Sequence, residues 1–202
     1  MDDLSYIQAP PRLDGILART AELGFGMASE PRTGALLRAL AASKPGGRML
    51  ELGTGTGVGT TWLLAGMDAE STLVSVDIDA NVQLVAREAL GGDPRLTFVT
   101  EHAASFLRGL PAASFDLVFA DSLSGKFEAL DEALAVIRPG GYYVIDDLLP
   151  QPSWPEGHAP RIPALMARLV ADRQLHLAPM TWASGIVIVV KKSTVAPFPT
   201  DL

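Results

Sequence analysis

Glycines at 53, 55, 57 and 59, inside the stretch Met49–Thr60 (MLELGTGTGVGT), constrain this chain more than any other feature. Arg48–Leu52 reads as a short buried strand, and the run VGTTWLLAGM that follows reads as an apolar helix, so the glycines form a strand–loop–helix turn. Glycine tolerates positive φ and lets a ligand approach the backbone closely, while the free N–H groups opening a helix favour polar or anionic groups. A bare connector has no use for this many glycines, because each costs backbone entropy on folding.

The spacing separates the ligand classes. A phosphate-gripping loop needs GxxxxGK[ST], and the Gly-rich run holds no Gly-Lys pair. A dinucleotide fingerprint needs GxGxxG, but counting from Gly53 the third position is Val58, and from Gly55 it is Thr60. What remains is ExGxGxG, with Glu51 at the strand end.

At 202 residues and 48% hydrophobic content, a single α/β domain with an ample core is expected over 1–202. Within it, 1–45 reads as N-terminal helices covering the site, 46–192 as the α/β core and 193–202 as a loose tail. The net charge of −7, with no Lys/Arg cluster, disfavours nucleic acid and other polyanions as partners. The absence of cysteine excludes disulfides and thiolate metal sites. The acidic, Pro-containing start and the shortness of the longest aliphatic run, Ile186–Val190, point to a cytoplasmic protein without a membrane span.

Along the chain, helices are expected near 13–23 and 31–40, joined by the apolar link Gly24–Ser29, which is placed to close over a ligand or to bury a Phe. Strands near 48–52, 72–77, 96–101, 115–121 and 142–146 alternate with helices near 57–67, 80–90, 104–110 and 126–137. This alternation predicts a mainly parallel sheet with helices on both faces. A Pro-rich loop (PQPSWPEGHAP), a helix near 162–171 and two strands, 175–179 and 186–191, follow; the strands are expected to pair antiparallel. Ligands of such sheets sit outside the carboxyl ends of the strands, where this chain places Glu51, Asp77, Glu101, Asp121, Asp146 and Asp147. Asp77, 24 positions after Gly53, is placed to accept hydrogen bonds from a ribose diol, and Asp79 to cap the next helix.

From Met27 to Asp147 these motifs resemble the catechol and caffeoyl-coenzyme A type O-methyltransferases, a family of class I S-adenosylmethionine-dependent methyltransferases. MASEPRTGALL resembles the family's cofactor-covering segment, which brings in Met27. ELGTGTG resembles motif I and VDID the ribose-binding stretch, while EHAASFL resembles the adenine-contacting segment. The resemblance implies a seven-stranded Rossmann-like fold. It implies S-adenosylmethionine bound by Met27, Glu51, Gly53, Thr54, Gly55, Gly57, Asp77, Ile78, His102, Ala103 and Asp121. FDLVFADSLSGKF and RPGGYYVIDDLLP resemble the metal-binding strands, implying magnesium or another divalent cation on Asp121, Asp146 and Asp147.

Three positions depart from the family pattern. His102 replaces an acidic residue, Asp147 replaces an Asn, and the family's base lysine falls on Ser124, leaving Lys126 two places late. Asp121 and Lys126 are the expected catalytic residues, with His158 as an alternative base. Trp154 and Trp182 are candidates to wall a flat substrate or simply to pack. The implied activity is methyl transfer to oxygen of a small aromatic hydroxylated acceptor by a homodimer. A metal-independent N- or carboxyl-directed methyltransferase, an NAD-linked oxidoreductase and a non-catalytic adenosyl-ligand sensor remain as alternatives.

Overall fold

The computed structural model describes residues 2–193; the expected tail lies outside the described residues from 194 onward. A short 3-10 turn, Asp3–Tyr6, precedes α1 (Leu13–Leu23) and α2 (Pro31–Ala42). Then come β1 (Arg48–Leu52), α3 (Val58–Gly66), β2 (Thr72–Asp77), α4 (Ala80–Leu90), β3 (Leu96–Thr100), α5 (Ala103–Arg108) and β4 (Phe115–Ala120). The one-turn α6 (Leu123–Lys126), α7 (Leu130–Val136), β5 (Ile137–Ile145), a 3-10 turn Ala159–Arg161, α8 (Ile162–Ala171), β6 (Leu175–Met180) and β7 (Ile186–Lys191) complete it.

The seven strands form one sheet in the order β3-β2-β1-β4-β5-β7-β6. β1 to β5 are mutually parallel, β7 runs antiparallel to β5, and β6 antiparallel to β7. The order reverses at β1, so the ends of β1 and β4 open the crevice in which ligands of such sheets bind.

Strand alternation sorts the core into two layers. Leu50, Leu52, Val76, Val118, Ala120, Tyr143 and Ile145 pack against α5, α7 and α8. Met49, Leu73, Leu117, Phe119 and Val144 face α1 to α4. Helix α3 is buried from Val58 through Leu64, so packing on both sides, rather than an amphipathic face, holds it. Its neighbour α2 reaches it at Gly34, where a Cβ would lie 2.3 Å from Nε1 of Trp62.

Two expected elements differ. The helix expected over 126–137 begins only at Leu130, because Ala129 (φ 54°) takes a left-handed conformation that no helix continues through, and Gly125 (φ 90°) just before the range does the same. The strand expected from 142 begins at Ile137, with a register irregularity opposite Phe115–Leu117 that absorbs the Pro139-Gly140-Gly141 run. Asp79 caps α4 as expected, accepting hydrogen bonds from the N–H groups of Asn81 and Val82.

Candidate active site

The Gly-rich loop is pinned to the strand beside it. The N–H groups of Gly53 and Thr54 donate to Val76 O at 2.8 and 3.2 Å, and that of Gly55 to Asp77 Oδ2 at 2.7 Å. Gly53 has φ 106°, and a Cβ there would lie 2.6 Å from the carbonyl oxygen of Asp121, so only glycine lets the ends of β1 and β4 meet. Phe25, from the link after α1, lays its ring 3.3 Å from where a Cβ of Gly55 would be. The link thus covers the loop with a Phe that is only half-buried.

Beneath the loop runs a buried hydrogen-bond chain. Ser75 Oγ and Thr60 Oγ1 each donate to Glu51 Oε2 at 2.5 Å. Ser75 has one proton and gives it to Glu51, so in the 2.7 Å contact with Thr54 Oγ1 it accepts; Gln83 Nε2 in turn donates to Thr54 at 3.0 Å. The chain therefore polarises in one direction, Gln83 to Thr54 to Ser75 to Glu51. Glu51 is fully buried with Oε1 unpartnered, and burial pushes its carboxyl up to about 8 against the two hydroxyl donors.

A cleft of about 510 Å³ runs across the carboxyl ends of the strands. Gly53, Thr54, Gly55, Asp77, Ile78 and Ala103 line one part of it, with Met27 and His102 at its walls. Asp121, Lys126 and Asp147 line the other part. Two expected cofactor residues are elsewhere. Glu51 shares the parity of Met49 and turns under the loop toward α3, while Gly57 faces α4, where a Cβ would lie 2.7 Å from that of Ala86. The cleft also gathers Phe25 and Ser29 from the link expected to close over a ligand or bury a Phe, Glu128 from the stretch expected as helix and Ser153 from the Pro-rich loop; no motif singled out Ser29, Glu128 or Ser153.

At the end of β4, Asp121 Oδ2 accepts from Ser29 Oγ at 3.0 Å. Lys126 Nζ lies 3.9 Å from Asp121 Oδ1 and 3.9 Å from Asp147 Oδ2, with its side chain 2% exposed. It is thus a buried cation between two carboxylates rather than a solvated residue. Burial, then the neighbouring carboxylate of Asp146, raises the Asp121 carboxyl, and Lys126 opposes the rise. Tyr143, wholly buried, donates its hydroxyl to Gly125 O at 2.6 Å and so holds the turn that carries Lys126.

The three aspartates do not fit a magnesium ion. Among the described residues no three His, Cys, Asp or Glu side chains are gathered around one point. Asp146 alternates to the other side from Ile145 and accepts from Ser184 Oγ and the Asp147 N–H, in a second polar chamber of about 280 Å³ that Asp121 and Asp147 also line. Asp147 returns to the cleft only through a left-handed φ of 60°, and there it meets Lys126. The positive charge that faces Asp121 and Asp147 is the chain's own ammonium.

The loop after β5 closes the cleft with aromatic rings. Trp154 stacks on His158 with centroids 4.3 Å apart, and Phe127 meets the same imidazole edge-on at 5.0 Å. His158 Nε2 lies 3.3 Å from Asp147 O, and burial, then the charge of Lys126, pushes the imidazole below its usual value. Trp182 is elsewhere: its Nε1 donates to Asp3, which also holds Arg32. His102 lies 3.7 Å from a carboxylate oxygen of Glu128 across the cleft wall.

A parallel sheet reversing at β1, a Gly-rich loop and an acidic residue ending β2 define a class I methyltransferase fold. A family model described as "Methyltransferase domain" matches residues 50–148. A Mycobacterium avium protein named "Putative O-methyltransferase" is 32% identical over 151 residues, covering 70% of this chain and 68% of that one. A Klebsiella pneumoniae crystal structure with the same description superposes with TM-score 0.80 at 25% identity, covering 94% and 93% of the two chains. The O-methyltransferase of Bacillus cereus in complex with SAH shares the fold, with TM-score 0.80, 20% identity and 92% and 93% coverage. The chain belongs to the O-methyltransferase family of class I methyltransferases. It spans 58–61% of the length of several other curated relatives it matches. No helix among the described residues is long and apolar enough to cross a membrane.

Proposed function

We propose that the protein transfers the methyl group of S-adenosylmethionine to a hydroxyl oxygen of a small aromatic acceptor, without a metal ion. The observation that carries this reading is the continuity of the cleft: a bare-backbone cradle and Asp77 at one end, and a buried lysine between two carboxylates at the other.

The cradle fits the methyl donor. Gly53 and Gly55 line it without side chains, a Cβ at the first meeting Asp121 O and at the second the Phe25 ring. Each Asp77 oxygen accepts one backbone N–H, from Gly55 and from Asp79, which leaves lone pairs for a ribose diol. Ile78, Ala103 and Met27 offer apolar contact to an adenine ring. Bound there, S-adenosylmethionine supplies an electrophilic methyl group on a sulfonium centre. The chain's own contribution is alignment, which in oriented reactions supplies roughly 7–11 kcal/mol, and the Lys126 ammonium, which stabilises the negative charge developing on the acceptor oxygen. The rings of Trp154 and His158, both lining the cleft, suit a flat acceptor.

Calorimetry and thermal melts test the donor. S-adenosylmethionine or its demethylated product at about a hundred times its Kd should add about 2.7 kcal/mol, a rise of roughly 5–10 °C in Tm. NAD should add nothing, and a rise with NAD alone overturns the assignment. Turnover of a catechol and hydroxycinnamoyl-ester panel should then be the same with and without chelator.

A further inference from the structure

Six methionines and no cysteine supply the sulfur of this chain, so its oxidisable sulfur groups are thioethers. Exposure separates them. Among the described residues Met49 and Met67 are buried, Met166 and Met180 are half-buried, and Met27 is 57% exposed. A thioether reacts with a peroxide that reaches its sulfur, and the reaction turns an apolar side chain into a polar one.

Met27 stands where that change has a consequence. It belongs to the link between α1 and α2, which lies over the Gly-rich loop at Phe25 and is held to Asp121 through Ser29. Between those two anchors a Cβ at Gly26 would meet nothing within 4 Å, so no packing fixes the backbone beside Met27. The side chain borders two cavities of opposite character. In the cleft it shares the wall with Phe25, Ile78 and Ala103, an apolar surface that suits the thioether. In the second chamber Gln151 and Ser153 bring an amide and a hydroxyl, donors that suit a sulfoxide oxygen.

We propose that Met27 is a peroxide-sensitive switch on the wall of the cleft: oxidation to the sulfoxide turns its side chain from the apolar cleft toward the polar chamber and lowers affinity for the methyl donor. The effect on the donor rests on the cofactor reading proposed above; the modification does not. A lone pair of the thioether sulfur attacks one oxygen of hydrogen peroxide. The S–O bond forms as the O–O bond breaks, and the proton on the transferred oxygen leaves with the departing hydroxide as water. Sulfur loses two electrons and the peroxide gains them. The reverse step draws two electrons and two protons from a dithiol through a methionine sulfoxide reductase and releases water.

Peptide mass maps of peroxide-treated protein test the site. Met27 should gain an oxygen before Met166 and Met180, and S-adenosylhomocysteine should slow Met27 by about fivefold or more, since susceptibility follows exposure. Protein oxidised at Met27 should bind S-adenosylmethionine roughly tenfold or more weakly by calorimetry, the worth of a lost methionine contact, and the reductase should restore the affinity. Met27→Leu sets its own baseline, which peroxide should leave unchanged. The Gln151 side-chain amide resonance, identified by its loss in Gln151→Glu, should move when the parent is oxidised and stay in place in Met27→Leu. Oxidation of Met27 no faster than that of Met166, no protection by S-adenosylhomocysteine, or an unmoved Gln151 amide overturns the proposal. So does an affinity within about twofold of the unoxidised protein, or an equal loss in Met27→Leu. If neither sulfur ligand binds the unoxidised protein, the methyl-transfer reading fails, while the peptide maps and the Gln151 resonance still decide the modification and the movement it drives.

Discussion

Lys126 is the residue whose surroundings say most about its role. A buried ammonium is tolerated only with compensating charge, and the carboxylates of Asp121 and Asp147 at 3.9 Å supply it. Lys126→Met leaves those two carboxylates without their cation and removes the charge that stabilises the acceptor oxygen. It should lower kcat by roughly a hundredfold, a size typical for a lost electrostatic donor, with calorimetric affinity for S-adenosylmethionine little changed. Retained kcat would remove Lys126 from the reaction. Asp77 makes the complementary case on the donor side. Its hydrogen bonds to a ribose diol are worth on the order of 1.5–3 kcal/mol, so Asp77→Ala should weaken S-adenosylmethionine roughly ten- to a hundred-and-fifty-fold, measured by calorimetry. Asp77 and Asp121 were legible in the sequence because each closes a strand on the ligand-bearing edge. Glu51 and Asp146 close strands too, yet strand parity turns Glu51 under the loop and Asp146 toward Ser184. A motif match reports that a carboxylate is present, and parity decides what it touches.

Between residue and molecule, the turn carrying Lys126 shows how an element is assembled for function. Gly125 holds φ 90°, and a Cβ there would lie 2.7 Å from Leu52 Cδ1 and 3.0 Å from the Tyr143 hydroxyl. Gly125→Ala should therefore displace the turn, destabilise the fold by about 1–3 kcal/mol and lower kcat more than it weakens the cofactor. Melts, calorimetry and turnover on the one variant check all three, and unchanged kcat would show that the turn does not position Lys126. The sequence could not reveal this element, because its apolar spacing matches a helix through 126–137 while left-handed Gly125 precedes that range and left-handed Ala129 interrupts it. The strands were readable because buried parallel strands are apolar runs bounded by turn residues. The loops that finish the cleft carry no period at all, and Ser29 and Ser153 come from them.

At the scale of the whole molecule, the acidic site makes stability depend on pH. Glu51 is fully buried and its folded-state value of about 8 lies above its ordinary 4.5, so the folded chain holds this proton more tightly than the unfolded chain does. Stability from such a group is fully present below pH 4.5 and is lost as pH rises toward 8. Asp121 and Asp146 are raised by the same burial and add to the loss. Asp68 and Asp93 are lowered by their hydrogen-bond donors and act in the opposite sense, at more acid pH. The ligand-free protein should therefore melt at lower temperature at pH 8 than at pH 5. Glu51→Gln isolates the Glu51 contribution, since an amide keeps an acceptor for Thr60 and Ser75 and cannot ionise. Between pH 5 and pH 8 the parent should lose on the order of 3 kcal/mol more than this variant, roughly 6–12 °C in Tm for a domain of this size. Parallel melting profiles for the two proteins across that window would show that Glu51 is already ionised beneath the loop, and that the hydroxyls of Thr60 and Ser75 are enough to hold the charge.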